Sequence, residues 1–138
     1  MTNAFIDRLH DEALSLLLAS RELAMETTYA DSGDDDPAER LSVALASLHL
    51  TAFVADAVAW TLAQKALAAG QLSEEEAASD QWEPSPLTVD SDASPSLPAP
   101  LVELIERARL FQRRVATLHA QQRQEISRRR AGTQDIQG

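Results

Sequence analysis

The chain is poor in the residue types on which many enzymes and disulfide-stabilised proteins depend. Its 138 residues include no cysteine, only three histidines, and only three Phe, two Trp and one Tyr. The absence of cysteine excludes disulfides and thiol catalysis, and it agrees with a reducing compartment. With so few aromatic residues the core has to be built from Leu and Ala. No strand pattern and no phosphate-binding glycine motif are evident.

Three long segments instead show the apolar periodicity of helices that bury one face. We predict helices over residues 3–30, 37–69 and 99–130, a short helix after Ser73, a mobile linker over 81–98 and a frayed tail over 131–138. The short acidic loop 31–36 makes the first two helices antiparallel. The linker is rich in Pro, Ser and Asp and lets the third helix return beside them. The chain is therefore predicted to be a single all-α domain, a three-helix bundle of long antiparallel helices.

The second helix carries the clearest signals. Asp36 suits its N-cap, Pro37 its first position, and Gly70 the left-handed conformation that ends a helix. Its main apolar seam has steps of four and three, which predicts close packing on another helix. The seam consists of Leu41, Leu45, Leu48, Ala52, Ala55, Ala59, Leu62, Ala66 and Ala69. A second stripe indicates neighbours on two sides; it consists of Val43, Leu50, Val54 and Val58.

A third sector of the same helix places Phe53, Trp60 and Leu67 at intervals of seven among polar residues. Such residues either pack beneath the linker or the third helix, or they form a surface for a protein partner. Both interpretations stay open. Our working hypothesis is the second, in which Phe53, Trp60 and Leu67 form a partner surface or a dimer interface.

Charge is unevenly distributed along the chain. Residues 1–100 carry 18 acidic and four basic side chains, whereas residues 101–138 carry four acidic and eight basic ones. The basic third helix can lie against the acidic remainder, or Arg123 and Arg128, Arg129 and Arg130 can contact a nucleic acid. A net charge of −10 repels phosphates, and no aromatic residue is interleaved with these arginines. We therefore favour the first interpretation and keep the arginines as secondary candidates for partner contacts.

No set of reactive groups emerges from the sequence. His10, His49 and His119 fall one on each helix, but only Asp7-x-x-His10 approaches the Glu-x-x-His spacing of di-metal bundles. We expect no metal, no cofactor and no enzymatic activity. Residues 43–69 are long enough to span a bilayer, but they include several polar residues and much alanine, so we expect no membrane span.

Three blocks of the sequence resemble a known family. They are FIDRLHDEALSLLLASRELA at 5–24, TAFVADAVAWTLAQKALAAGQLSEEEA at 51–77 and LPAPLVELIERARLFQRRVATL at 97–118. Their combination and order resemble the alphaproteobacterial family of the regulator of CtrA degradation. The resemblance covers all three predicted helices.

The resemblance implies a three-helix bundle that dimerises and acts as a non-enzymatic adaptor. Such an adaptor helps to deliver cell-cycle regulators to the ClpXP protease through protein–protein contacts. The implied partners are the unfoldase–protease complex, other adaptors and substrate regulators. The implied location is the cytoplasm, concentrated at a cell pole. The alternative from another class is a small helical regulator that binds nucleic acid through the arginine-rich end of the third helix.

Overall fold

Four α-helices make up most of the fold. The structure is a computed structural model, which describes residues 2–29, 36–85, 87 and 97–137. The helices are α1 (Asn3–Tyr29), α2 (Pro37–Ala68), the short α3 (Glu74–Ala77) and α4 (Ala99–Gln137). A single 3₁₀ turn, Asp80–Trp82, follows α3, and no strand occurs among the residues described. The predicted all-α bundle of long helices is confirmed.

The ends of α2 and the start of α3 follow from local side-chain chemistry. The Asp36 carboxylate accepts a hydrogen bond from the backbone N–H of Ala38 at 3.2 Å, which satisfies one of the free donors of the first turn. Gly70 adopts a φ of 76° just after α2, a conformation that a Cβ atom disfavours. The Ser73 hydroxyl accepts from the backbone N–H of Glu76 at 3.1 Å and starts α3. These helix signals in the sequence are confirmed.

Contacts between side chains fix the direction of the helices. On α1, Asp7 forms an ion pair with Lys65 of α2 at 3.4 Å. One turn further along α1, His10 Nδ1 lies 2.9 Å from Thr61 Oγ1. Because the α1 number rises as the α2 number falls, the two helices are antiparallel, as predicted.

The direction of α4 follows in the same way from its contacts with α2. Trp60 hydrogen-bonds to His119, and Gln64 to Gln122 one turn later on both helices. Helix α4 therefore runs parallel to α2 and antiparallel to α1. The prediction of antiparallel long helices is thus correct for α1 with each of the other two and wrong for α2 with α4, because the long linker lets the chain return before α4 begins. The core lies where the inner faces of the three long helices meet. Its most deeply buried side chains are Leu9, Ala13, Leu16, Leu50, Val54, Trp60, Leu101, Ile105, Ala108, Phe111 and Val115.

Two expectations about irregular segments need correction. The tail predicted to fray after residue 130 is helical, because α4 continues to Gln137. Ion pairs between Arg129 and Glu74 and between Arg130 and Glu75 tie this part of α4 to α3, which favours an ordered helix end. Gly132 lies inside the helix at a cost of about 1 kcal/mol.

The linker predicted over 81–98 is also more ordered than expected where it is described. Trp82, Leu87 and Leu97 are half-buried and pack against the core. Three apolar side chains spaced along a Pro-rich segment are thus enough to hold parts of it against the bundle. Residues 86 and 88–96 of the linker, and Ala30 at the predicted end of the first helix, lie outside the described residues.

Candidate protein-binding surface

The three residues predicted to form a partner surface are not exposed together. Phe53 and Trp60 are core residues, with 7% and 1% of their surface exposed. Leu67 is half-buried and lines a cleft of about 410 Å³ between α2, α4 and the start of α1. The structure therefore corrects the expectation that Phe53 and Trp60 are exposed. The other interpretation, packing beneath the third helix, describes where they lie.

Polar side chains of α4 supply hydrogen-bond partners for Trp60 and Gln64, which is why polar residues on this side of α2 can be buried. Trp60 Nε1 donates a hydrogen bond to His119 Nδ1 at 3.1 Å, and both side chains are buried. One turn later the Gln64 and Gln122 amides exchange two hydrogen bonds, of 2.6 and 3.3 Å. These contacts give the Trp60 N–H, the His119 Nδ1 and both glutamine amides a partner, as buried polar groups require, whereas the buried His119 Nε2 has none among the described residues. The Phe53–Trp60 side of this sector is therefore an inner face of the bundle, whereas His49 and Asp56 of the same sector are exposed.

Burial and the hydrogen bond from Trp60 both favour the neutral form of His119. Its Nδ1 accepts from Trp60, so the proton of the neutral ring is on Nε2. Burial lowers the pKa of His119, and the positive charge of Arg123 lowers it further. The side chain therefore acts as a neutral hydrogen-bond acceptor in the core.

The exposed apolar face of α2 is the seam that was predicted to pack inside the bundle. We call its long central part the outer stripe: Leu41, Leu45, Leu48, Ala52, Ala55, Ala59 and Leu62. Its four leucines are 60%, 46%, 64% and 50% exposed, in order of sequence. Ala52 and Ala55 between them are exposed as well. The predicted internal role of this seam is wrong, because the core takes the opposite side of the helix, with Leu50, Val54, Ala57 and Trp60.

Helix α1 extends this exposed surface. Leu14, Leu18 and Met25 are 36%, 62% and 49% exposed. They follow Asp7 at steps of seven, four and seven, so they lie on the same side of α1. Since Asp7 pairs with Lys65, that side borders α2. We call these three residues and the outer stripe together the apolar outer face.

This face has the composition of a protein-binding surface. Between Leu41 and Gln64 the only charged residue of α2 is Asp56. The cores of protein–protein interfaces are similarly depleted of charge and rimmed by polar groups. His49 and Asp56 are exposed and lie along one edge of the stripe. Contiguous exposed apolar patches of this kind are uncommon on proteins that act as monomers.

The arginine-rich end of α4 is occupied by the protein's own carboxylates. Arg123 lies 3.0 Å from Asp80 and 3.8 Å from Glu83. Arg129 pairs with Glu74 and Glu125, and Arg130 lies 2.9 Å from Glu75. Arg128 is exposed on the same helix. Exposed pairs contribute little each, but together they lay the basic helix against acidic segments, as the charge distribution suggested.

Metal binding and membrane insertion are two further functions on which the described residues bear. No group of three or more His, Asp or Glu side chains within the described ranges could hold a metal ion. By length and composition α2 is apolar enough to cross a membrane. A third of its most apolar stretch is buried inside the bundle, and Thr61 and Gln64 are among the buried residues of this helix. Packing in the bundle thus accounts for part of its apolar character.

The described residues form an all-α bundle of three long helices, and none of them covers the apolar outer face. The chain belongs to an alphaproteobacterial family described as proteins of unknown function, DUF1465, which matches residues 1–137. Comparison with curated proteins and with solved structures gives no match.

Proposed function

We propose that this protein is a non-enzymatic adaptor that helps to deliver cell-cycle regulators to the ClpXP protease through protein–protein contacts. The observation that carries the proposal is the apolar outer face, a low-charge surface along two long helices. An adaptor needs surfaces rather than reactive groups. By holding a substrate and the protease at once, it raises the effective concentration of one at the other.

The choice of protease rests on sequence resemblance. The three blocks that resemble the regulator of CtrA degradation family coincide with α1, with the second half of α2 and α3, and with the first half of α4. That resemblance supports the unfoldase–protease complex, other adaptors and substrate regulators as partners. It also supports a cytoplasmic protein that concentrates at a cell pole and forms homodimers. The family match to residues 1–137 is consistent with these assignments but does not specify them.

The second candidate function is a helical regulator that binds nucleic acid through the end of α4. The ion pairs of Arg123, Arg129 and Arg130 count against it, because each pair must break before its guanidinium can reach a phosphate. Together with the net charge of −10, this makes the protein-binding function the better supported one.

A reconstituted degradation assay tests the proposal. ClpXP, its priming adaptor and a cell-cycle substrate are combined with wild type, Leu48→Glu or Leu110→Glu. Leu48 lies in the outer stripe and is 64% exposed, whereas Leu110 lies on the polar side of α4 and is 59% exposed. We expect wild type and Leu110→Glu to accelerate substrate loss and Leu48→Glu to do so much less. No acceleration by wild type with any substrate or adaptor would contradict the proposal.

A further inference from the structure

We infer that two copies of this chain meet through the apolar outer face, docked antiparallel along α2 with Ala52 at the two-fold axis. Homodimer formation is already part of the proposed function; the inference deepens it by naming the face, the direction and the axis, and it rests on it in one respect, that this face binds protein. The arrangement of residue sizes, the register of α1 and the charges at the edge each lead to it.

The order of large and small residues along the outer stripe is self-complementary in one direction. When two copies of α2 run antiparallel about Ala52, Leu48 lies opposite Ala55 of the other copy. The same operation sets Leu45 opposite Ala59 and Leu41 opposite Leu62. Leucines then fill the space left by alanines at the inner positions, which is how helix surfaces pack closely. A parallel pair would instead stack leucine on leucine toward both ends of the stripe and alanine on alanine between Ala52 and Ala59.

Helix α1 points to the same axis independently. The contacts of Asp7 with Lys65 and of His10 with Thr61 set the register between α1 and α2. With equal rise per residue on both helices, Leu14, Leu18 and Met25 lie about level with residues 57, 53 and 46 of α2. Leu14 and Met25 are thus nearly equidistant from the level of Ala52, with Leu18 close to it. A two-fold axis brings Leu14 of one copy near Met25 of the other, as an isologous interface requires.

The polar edge of the stripe is complementary under the same operation. His49 and Asp56 are seven residues apart on one side of α2 and almost symmetric about Ala52. In the antiparallel pair His49 of each copy lies opposite Asp56 of the other. Two hydrogen-bonding pairs of this kind fix register and orientation at the rim. A parallel two-fold pair would place the His49 and Asp56 edges of the two copies on opposite sides of the interface, so these pairs could not form.

The size of the face suits a dimer of moderate stability. From Leu41 to Leu62 the stripe is about 32 Å long, and two adjoining helices are about 20 Å wide. The face therefore offers on the order of 600 Å² per copy, or about 1,200 Å² in total, the lower end of stable interfaces.

An anionic membrane fits this face less well than a second copy does, because surface-binding helices carry Lys and Arg on their polar face. This chain has a net charge of −10, and its single lysine, Lys65, pairs with Asp7.

Disulfide cross-linking tests both the partner and the direction, since the natural chain has no cysteine to interfere. Light scattering of wild type across a concentration series should show a doubling of the 15.0 kDa monomer mass. Under mild oxidation Ala52→Cys should form a covalent dimer with itself. Leu41→Cys should not, because the two sulfurs would be about 33 Å apart. A mixture of Leu41→Cys and Leu62→Cys should form the mixed dimer, and Leu110→Cys serves as the matched control outside the face.

Each alternative outcome overturns the inference in a recognisable way. Self-cross-linking of Leu41→Cys as readily as Ala52→Cys would show a parallel pair. A monomer at every concentration would exclude the second copy, and loss of delivery by Leu48→Glu would then assign the face to another protein. Co-sedimentation of monomer with anionic vesicles would assign it to a membrane. Conversely, the antiparallel cross-links without any delivery activity would leave the inference standing and remove the adaptor proposal.

Discussion

Replacement of Trp60 by Ala should destabilise the monomer severely, because this side chain is 1% exposed and lies between α2 and α4. Removing a buried Trp side chain costs about 3–5 kcal/mol. The buried Nδ1 of His119 would also lose its donor, which adds about 1–3 kcal/mol. The expected loss is therefore about 4–8 kcal/mol, a large part of the roughly 7–20 kcal/mol expected for a domain of this length. Trp60→Phe keeps most of the apolar volume and should lose about 1–3 kcal/mol.

Urea unfolding followed by far-ultraviolet circular dichroism measures these losses. A series of protein concentrations separates the stability of the monomer from the contribution of self-association. Leu48→Ala is the matched control on the opposite side of α2, and it should change monomer stability by less than about 1 kcal/mol. A Trp60→Ala variant within 1 kcal/mol of wild type would refute the placement of Trp60 in the core. It would return Phe53, Trp60 and Leu67 to consideration as a partner surface.

Three further predictions concern the polar groups and the end of α2. The unfolded chain gains a proton on His119 near pH 6.5 whereas the folded chain, with its lowered pKa, does not. The free energy of unfolding should therefore fall as the pH drops from 6.5 toward that lowered pKa, and His119→Gln should remove this part of the slope of urea midpoint against pH. Gln64→Leu should cost about 1–3 kcal/mol by leaving the Gln122 amide unpaired, and adding Gln122→Leu should recover most of the loss in a double-mutant cycle. Gly70→Ala should cost about 1–2 kcal/mol in chemical denaturation, since φ is 76° and the new Cβ would meet nothing within 4 Å.

Sequence reasoning located the helices well because their signals are local. Asp36, Ser73 and Gly70 mark helix ends through backbone chemistry that does not depend on the rest of the fold. The end of α4 was placed too early because its stability depends on a distant segment, the carboxylates of Glu74 and Glu75 in α3. The direction of α4 relative to α2 also depends on distant contacts, because the linker before α4 is long enough to allow a parallel or an antiparallel arrangement.

The faces of α2 could not be assigned from periodicity, because the helix is apolar on two sides and a repeat does not show which side faces inward. The deciding information lay on α4, where His119 and Gln122 supply hydrogen-bond partners for Trp60 and Gln64. Those partners let the side of α2 that carries Trp60 and Gln64 face inward and leave the Leu/Ala seam outside.

A helix that is apolar nearly all round normally lies at the centre of a larger core or in a membrane. Here α2 has only two long neighbours, α1 and α4, and both lie on the side of Leu50 and Val54. The described parts of the chain therefore contain no further long helix to cover the side of Leu48. Within the described residues nothing covers the seven regularly spaced Leu and Ala residues of the outer stripe. The complementary order of Leu and Ala, with His49 opposite Asp56, is the reason that we propose a second copy of the chain as their cover.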